Sequence, residues 1–410
     1  MRDPSFSCLS CGASGGSLAL DLGLQPLANN LLLPSDLAAR EPKFPLRLFL
    51  CRECWLLQIG DLVPPVSLFS DYLYFSSFSE TLLKHARAAA LRYREEFALD
   101  SASLVIEIAS NDGYLLQNFS GMGVPCLGIE PAANIAKVAV AKGIPTRVDF
   151  FNQDLAKELA SGNRKADLVL GNNVFAHVPD TNDFVAGLRE ILKPRGRIVL
   201  EFPYGVDMVE KAEFDTIYHE HVFYFTLTAL HPLFHRHGLE VFRAERLAIH
   251  GGSLRLFAAH SGAFPVEESV GELTRGEIAK GVATPGFYDQ FSDTVHRLKR
   301  ELLELLRRLQ AQDRSVAAYG ASAKGSTLLN FFGIGREFIG FVADRSTYKH
   351  GRLTPGTHIP IVPAEELARR RPDYTLLLTW NFAAEILEQQ RAYRDLGGKF
   401  IVPIPEVTIV

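Results

Sequence analysis

Residues 214–225, FDTIYHEHVFYF, place Tyr218, His219, Glu220 and His221 in succession among aromatic side chains. Such a run concentrates groups that exchange protons near neutrality, since imidazole has a reference pKa of about 6.5. His221 is therefore the candidate general base. His219 and His221 would share one side of an extended segment and, with Glu220, suggest a metal site. Catalytic zinc on a helix uses histidines four apart, which disfavours that reading. A purely structural role for the cluster is the other alternative.

Four of the five cysteines fall in two C-x-x-C pairs, Cys8 with Cys11 in FSCLSCG and Cys51 with Cys54 in FLCRECW. Each pair can bend two thiolates onto one tetrahedral ion. Two such knuckles complete a closed four-sulfur shell with no position for water, so the expected Zn2+ is structural. Four unconnected buried cysteines would be the plainer reading. Cys126, in VPCLGIE, reads as core.

Positioning these groups requires a large framework. A chain of 410 residues exceeds the size at which one hydrophobic core keeps growing, so two or three domains are expected. The pattern divides into residues 1–70, 71–245 and 246–410. A hydrophobic content of 47% suits a folded enzyme, and a net charge of -4 offers no basic surface for nucleic acid. The sequence shows neither a run of about 18 apolar residues nor a charged-then-apolar leader. No membrane partner and a cytoplasmic location are expected.

SASLVIEIASNDGYLLQNF reads as a buried strand, Leu104 to Ala109, then a tight turn at Gly113 and a helix, the opening of a parallel α/β unit. Ligands bind at the strand end, where Glu107, Ser110, Asn111 and Gly113 lie. A second strand ends at Glu130, followed by Pro131, where an acid can accept hydrogen bonds from two ribose hydroxyls. Asp149 and Phe150 close a third segment and can flank an adenine; a fourth strand ends in Asn172 and Asn173. EIASNDG lacks the three-glycine fingerprint of dinucleotide binders. A phosphate-free ligand such as S-adenosylmethionine needs no tight pyrophosphate turn, so the pattern suits a class I methyltransferase. A generic nucleotide site is the alternative.

Near the other end, SVAAYGASAKGSTLLNFFG repeats the strand, glycine turn and helix plan. The amides at Ala323 and Lys324 can bind phosphate at the helix N-terminus, or the turn is merely structural. Arg352 in a basic loop and Trp380 at a strand end complete this unit. Arg255, after the double glycine of HGGSLR, is a candidate for the sugar or its phosphates.

Together CLSCG, CRECW, EIASNDGYLL, GIEPAANIA, NNVFAHVPD, EFPYGVDMVEKAEFDTIYHEHVFYF and HGGSLR resemble the zinc-containing sugar C-methyltransferases that make branched deoxysugars. The resemblance spans nearly the whole chain and implies an α/β protein with three parts: an N-terminal zinc-binding domain, an S-adenosylmethionine-binding class I methyltransferase domain and a C-terminal Rossmann-like domain. It implies methylation at C-3 of a nucleotide-linked 4-keto-6-deoxyhexose; dTDP is expected ahead of GDP as the nucleotide, and a monomer is expected. By the same resemblance His221 is the base, Tyr218 and Glu220 assist it, His177 hydrogen-bonds the C-4 oxygen and Tyr72 lies near the sugar. Tyr74 competes with Tyr72 for that place. The C-terminal unit, with Ala323, Lys324, Arg352 and Trp380, would hold the sugar nucleotide. Two other classes remain: a nicotinamide-dependent sugar-nucleotide dehydrogenase and a non-catalytic zinc scaffold.

Overall fold

The computed structural model describes residues 2–65, 68, 75–162 and 164–410. Tyr72 and Tyr74 lie outside the described residues. Among those described, three sheets organise the chain.

The first sheet is antiparallel and combines Arg2–Ser7, Ser14–Gln25, Phe44–Leu50 and Leu57–Ile59 with a fifth strand, Phe223–Tyr224, from far along the chain. Both C-x-x-C pairs occupy its hairpin turns. Gly12, at φ +76, closes the first turn and donates its N–H to the Cys8 carbonyl at 2.9 Å. Cys51 N–H closes the second on the Leu56 carbonyl at 2.9 Å. The turns bring four Sγ atoms within 4.8 Å of one another, with Cys8–Cys54 and Cys11–Cys51 each at 3.6 Å. Those spacings suit thiolates sharing one tetrahedral ion with bonds of about 2.3 Å. The thiols also compete for a single charge: hydrogen bonds from Cys54 and Cys8 push the Cys51 thiol down, and donating to Cys51 pushes the Cys8 thiol up to about 12. A divalent cation removes that competition by making every sulfur a ligand.

The second sheet has seven strands in the order Leu239–Leu247, Ser253–His260, Leu192–Pro203, Ala166–Asn172, Val105–Ile108, Cys126–Ile129, Thr146–Arg147. The last five are parallel, and Ser253–His260 runs antiparallel between Leu192–Pro203 and Leu239–Leu247. This is the class I methyltransferase arrangement. Val105–Ile108 is buried at every residue because helices cover both faces, which explains its unbroken apolar reading. The expected boundary at 246 falls inside Leu239–Leu247, the edge strand of this sheet, which pairs antiparallel with Ser253–His260.

The third sheet has the order Ile361–Pro363, Val342–Asp344, Val316–Tyr319, Tyr374–Leu377, Lys399–Val402, Thr408–Ile409, parallel except for the last strand. Gly320 follows Val316–Tyr319 at φ +91, and a Cβ there would meet Thr379 Oγ1 at 2.4 Å. Only glycine fits that turn into the helix Ala323–Phe332. The long helix Gly286–Ala311 buries Tyr288, Phe291, Val295, Leu298, Leu302, Leu305, Leu306 and Leu309, a stripe at three- and four-residue spacing. It lies against Ser14–Gln25 and so ties the first sheet to the rest.

Glu277, on the helix Glu268–Lys280, is buried and fully used. Its carboxyl accepts from Tyr204 Oη at 2.6 Å and from the Leu227 and Thr228 N–H groups at 2.7 Å each. A negative charge thereby caps the N-terminus of Leu227–Arg236, where the first amides have no intrahelical partner.

Glu277→Ala should destabilise the protein by about 3 kcal/mol, because it strands buried donors; a thermal melt close to that of the unsubstituted chain would contradict this. Metal analysis should find stoichiometric zinc. Cys51→Ser should lower that content and reduce the melting temperature, since structural zinc supplies on the order of 10 kcal/mol to small zinc modules.

Candidate active site

The turn after Val105–Ile108 is built to receive a polar ligand. Ala109 and Asn111 are left-handed at φ +53 and +50, with Gly113 at +78, so the backbone doubles back at the sheet edge. Glu107 Oε2, Ser110 Oγ and Asp112 Oδ1 are buried without a hydrogen-bond partner. Burial foremost, then the Glu130 and Asp112 charges, holds the Glu107 carboxyl well above the usual range. Glu130, ending the neighbouring strand, accepts the Asn111 and Ala132 N–H groups at 2.9 Å each, which fixes its carboxyl at the mouth. Ser76 N–H donates to Asn111 Oδ1 at 2.9 Å, and Lys142 pairs with Asp112 at 3.0 Å. The expected Glu107, Ser110, Asn111, Gly113, Glu130, Pro131, Asn172 and Asn173 thus gather at the carboxyl ends of adjacent strands, around the point where the strand order reverses. Asp149 and Phe150 stand at the exposed rim. The orphaned acceptors and the double-back turn fit S-adenosylmethionine, which carries ribose hydroxyls and amino groups.

Beside that edge lie three of the proton-handling side chains. His221 Nδ1 is 2.9 Å from the Thr216 carbonyl, an acceptor, so this nitrogen carries the proton and Nε2 presents its lone pair. Tyr218 Oη donates to that Nε2 at 2.7 Å, with ring centroids 4.0 Å apart. The His177 ring meets His221 edge-on at 4.8 Å. His177 keeps a partly accessible edge, yet burial pulls its pKa down to about 4, against the opposing carbonyls of Glu220 and Asn173. It is a neutral imidazole at physiological pH.

Glu220 is 4% exposed, and burial raises its pKa to about 7. Asn29 Nδ2 lies 2.8 Å from both of its oxygens. His219 turns the other way, with Nε2 3.0 Å from the Pro45 carbonyl and its ring against Phe44. The two histidines therefore do not face a common ion. Among the described residues the one group able to hold a metal is the four cysteines.

The third sheet supplies a second cluster. Lys324 Nζ sits 3.9 Å from Glu213 Oε2, 4.0 Å from Asp215 Oδ1 and 4.8 Å from the Trp380 ring centre. Trp380 Nε1 donates to Asp215 Oδ2 at 2.7 Å. Lys324 Nζ, Glu213 Oε1 and Asp215 Oδ1 are buried and lack hydrogen-bond partners. Burial pushes the Glu213 carboxyl up to about 7 despite Lys324. Ala323 opens the adjoining helix. Arg352 donates to the Leu31 carbonyl at 3.2 Å, toward the zinc-bearing sheet. Arg255 is placed away from this cluster: its guanidinium pairs with Glu201 at 3.0 Å and Glu245 at 3.5 Å inside the second sheet, beside His85. Cross-strand pairing with Glu201 explains why it points there rather than toward a ligand.

Asn29, Glu213, Asp215 and Thr216 escaped the sequence reading. The last three stand within EFDTIYHEH, where the histidines and tyrosine drew the attention; Asn29 carries no local signal.

Comparison with known families matches residues 8–69 to a zinc binding domain, residues 82–244 to a methyltransferase domain and residues 248–405 to a C-methyltransferase C-terminal domain. The C-methyltransferase NovU of Streptomyces niveus is 38% identical over 408 residues, covering 99% of this chain and 97% of that protein. A ubiquinone biosynthesis O-methyltransferase of Azorhizobium caulinodans is 31% identical over 98 residues, 23% of this chain and 38% of its own. Solved structures with similarity include the magnesium protoporphyrin IX methyltransferase of Synechocystis PCC 6803 with bound SAM, at 14% identity and TM-score 0.34, covering 44% of this chain and 79% of that one. No helix among the described residues is long and apolar enough to cross a membrane. Since the match to NovU runs through the cysteine knuckles, the cofactor edge and the histidine segment alike, the chain belongs to the zinc-containing, S-adenosylmethionine-dependent C-methyltransferases.

Proposed function

We propose that this enzyme methylates C-3 of a dTDP-linked 4-keto-6-deoxyhexose through an enolate, in branched deoxysugar biosynthesis. The observation that carries the reading is the His221 imidazole, locked on the Thr216 carbonyl with Nε2 turned to Tyr218 beside His177. Making a carbon nucleophile next to a ketone requires loss of a C–H proton, with the charge moving onto oxygen. A base and a donor to that oxygen are both needed.

In this scheme His221 Nε2 takes the C-3 proton, and the Thr216 carbonyl stabilises the imidazolium through Nδ1–H. Tyr218 leaves Nε2 to admit the C–H and donates to the developing oxyanion. His177, kept neutral by burial, donates to the C-4 oxygen without surrendering its proton. Glu220 orients the sugar as a carboxylate. When bound, S-adenosylmethionine supplies an electrophilic methyl group. The Lys324, Glu213 and Asp215 atoms that lack hydrogen bonds offer both a donor and acceptors to the polar remainder of the sugar nucleotide. The resemblance of the long histidine-bearing run to sugar C-methyltransferases supports the substrate class.

Mass spectrometry after incubation with S-adenosylmethionine and a panel of 4-keto sugar nucleotides should show one added methyl on carbon for a dTDP sugar; no gain across the panel refutes the proposal. His221→Asn should cut turnover by about 10²–10⁴ or more while leaving S-adenosylmethionine binding and folding unchanged. The rate should rise with pH through about 7, because the Glu220 carboxyl loses its proton there. His177→Asn should lower the height of that profile without moving its midpoint, since His177 has already lost its second proton near pH 4.

A further inference from the structure

Asn29 lies in the loop between Ser14–Gln25 and Phe44–Leu50, on the zinc-bearing sheet, 191 residues before the carboxyl it touches. That loop is held in place from several sides. Leu31 N–H returns to the Asn29 carbonyl at 2.9 Å, Leu32 bridges to Leu353, and Arg352 clamps the Leu31 carbonyl. The side chain therefore reaches Glu220 from a backbone tied to both the first and third sheets.

The contact is unlike an ordinary structural hydrogen bond. Glu220 is buried, whereas Asn29 remains exposed. Removing the bond would leave a buried carboxyl short of a donor, so it carries some stability as well. It also sets the plane of the carboxyl, because one NH2 donates to both oxygens at 2.8 Å. An ionised carboxylate only accepts, so the amide nitrogen, with two N–H bonds, matches it, and an aspartate at 29 would not. Among the described residues no Lys or Arg forms an ion pair with Glu220; burial and Asn29 govern its state.

We propose that Asn29 is a positioning residue for methyl transfer: it orients the Glu220 carboxyl, and through it the zinc-bearing domain completes the active site. The proposal rests on the reading of Glu220 as an active-site group. It also accounts for a metal-stabilised module being joined to a methyltransferase sheet, since a loop that must hold an amide in place needs a rigid base.

The test is a double-mutant cycle on the full-length, zinc-loaded enzyme. Asn29→Ala should lower kcat at least tenfold, with zinc content and the KM for S-adenosylmethionine unchanged. Asn29→Asp should be slower still, because two carboxyls would then face each other. Asn29→Ala combined with Glu220→Gln should be no slower than Glu220→Gln alone, the signature of residues that act as one unit. An Asn29→Ala enzyme with unaltered kcat, loss of zinc from that variant, or effects that multiply in the double variant would each overturn the proposal. An unsubstituted enzyme that methylates no keto sugar nucleotide would fail the functional reading itself, and this inference with it.

Discussion

Residues 213–225 are held from three directions, and the geometry of the site depends on that grip. The Val222 backbone is the pivot: its N–H donates to the Ala176 carbonyl at 2.7 Å, and its own carbonyl accepts the Ile59 N–H at 2.9 Å. One residue thus joins the His177 turn to the zinc-bearing sheet. Phe223–Tyr224 continues as a strand of that sheet. From the third sheet, Thr327 Oγ1 donates to the Ile217 carbonyl at 3.2 Å and Trp380 to Asp215. A segment with little regular structure of its own becomes rigid because its backbone groups are satisfied by three separate units.

That arrangement gives the zinc module a physical task. A module of this size buries little surface of its own and is marginally stable without a further constraint. Binding four thiolates to one ion fixes both hairpin turns at once, and Phe223–Tyr224 then has a firm edge to pair with. The segment carrying His221 thus runs into a strand of the sheet whose turns the four cysteines form.

Buried charge is distributed with the same logic. Away from the site, Arg255 neutralises Glu201 and Glu245 across the strands of the second sheet, as buried ions must, and His85 hydrogen-bonds Glu201 from a neighbouring helix. At the site edges the pattern reverses. Glu107, Glu213 and Glu220 are held above the usual carboxyl range mainly by burial, and Glu107, Glu213, Asp215 and Lys324 each keep a buried atom without a hydrogen bond. Desolvated groups of this kind carry a cost to folding that structural positions avoid, and such positions cluster where ligands dock.

Much of this was legible in the amino-acid sequence. The two C-x-x-C pairs implied four sulfurs around one ion because a knuckle is a local structure, and the strand and turn at EIASNDG implied an open α/β edge because alternation of apolar strand and helix is also local. Imidazole chemistry alone singled out His221 as a candidate base. What lay beyond reach were contacts between residues distant in the chain. Nothing near Asn29 announces Glu220, and nothing in HGGSLR shows that Arg255 will meet Glu201 across a pair of strands. The separation of His219 from His221 likewise arises only when Pro45 and Phe44 arrive from the first sheet. Residue type and spacing determined which chemistry was available; the packing of three sheets around residues 213–225 decided which groups face one another, because burial, tautomer and ionisation are set by neighbours that the linear order does not place side by side.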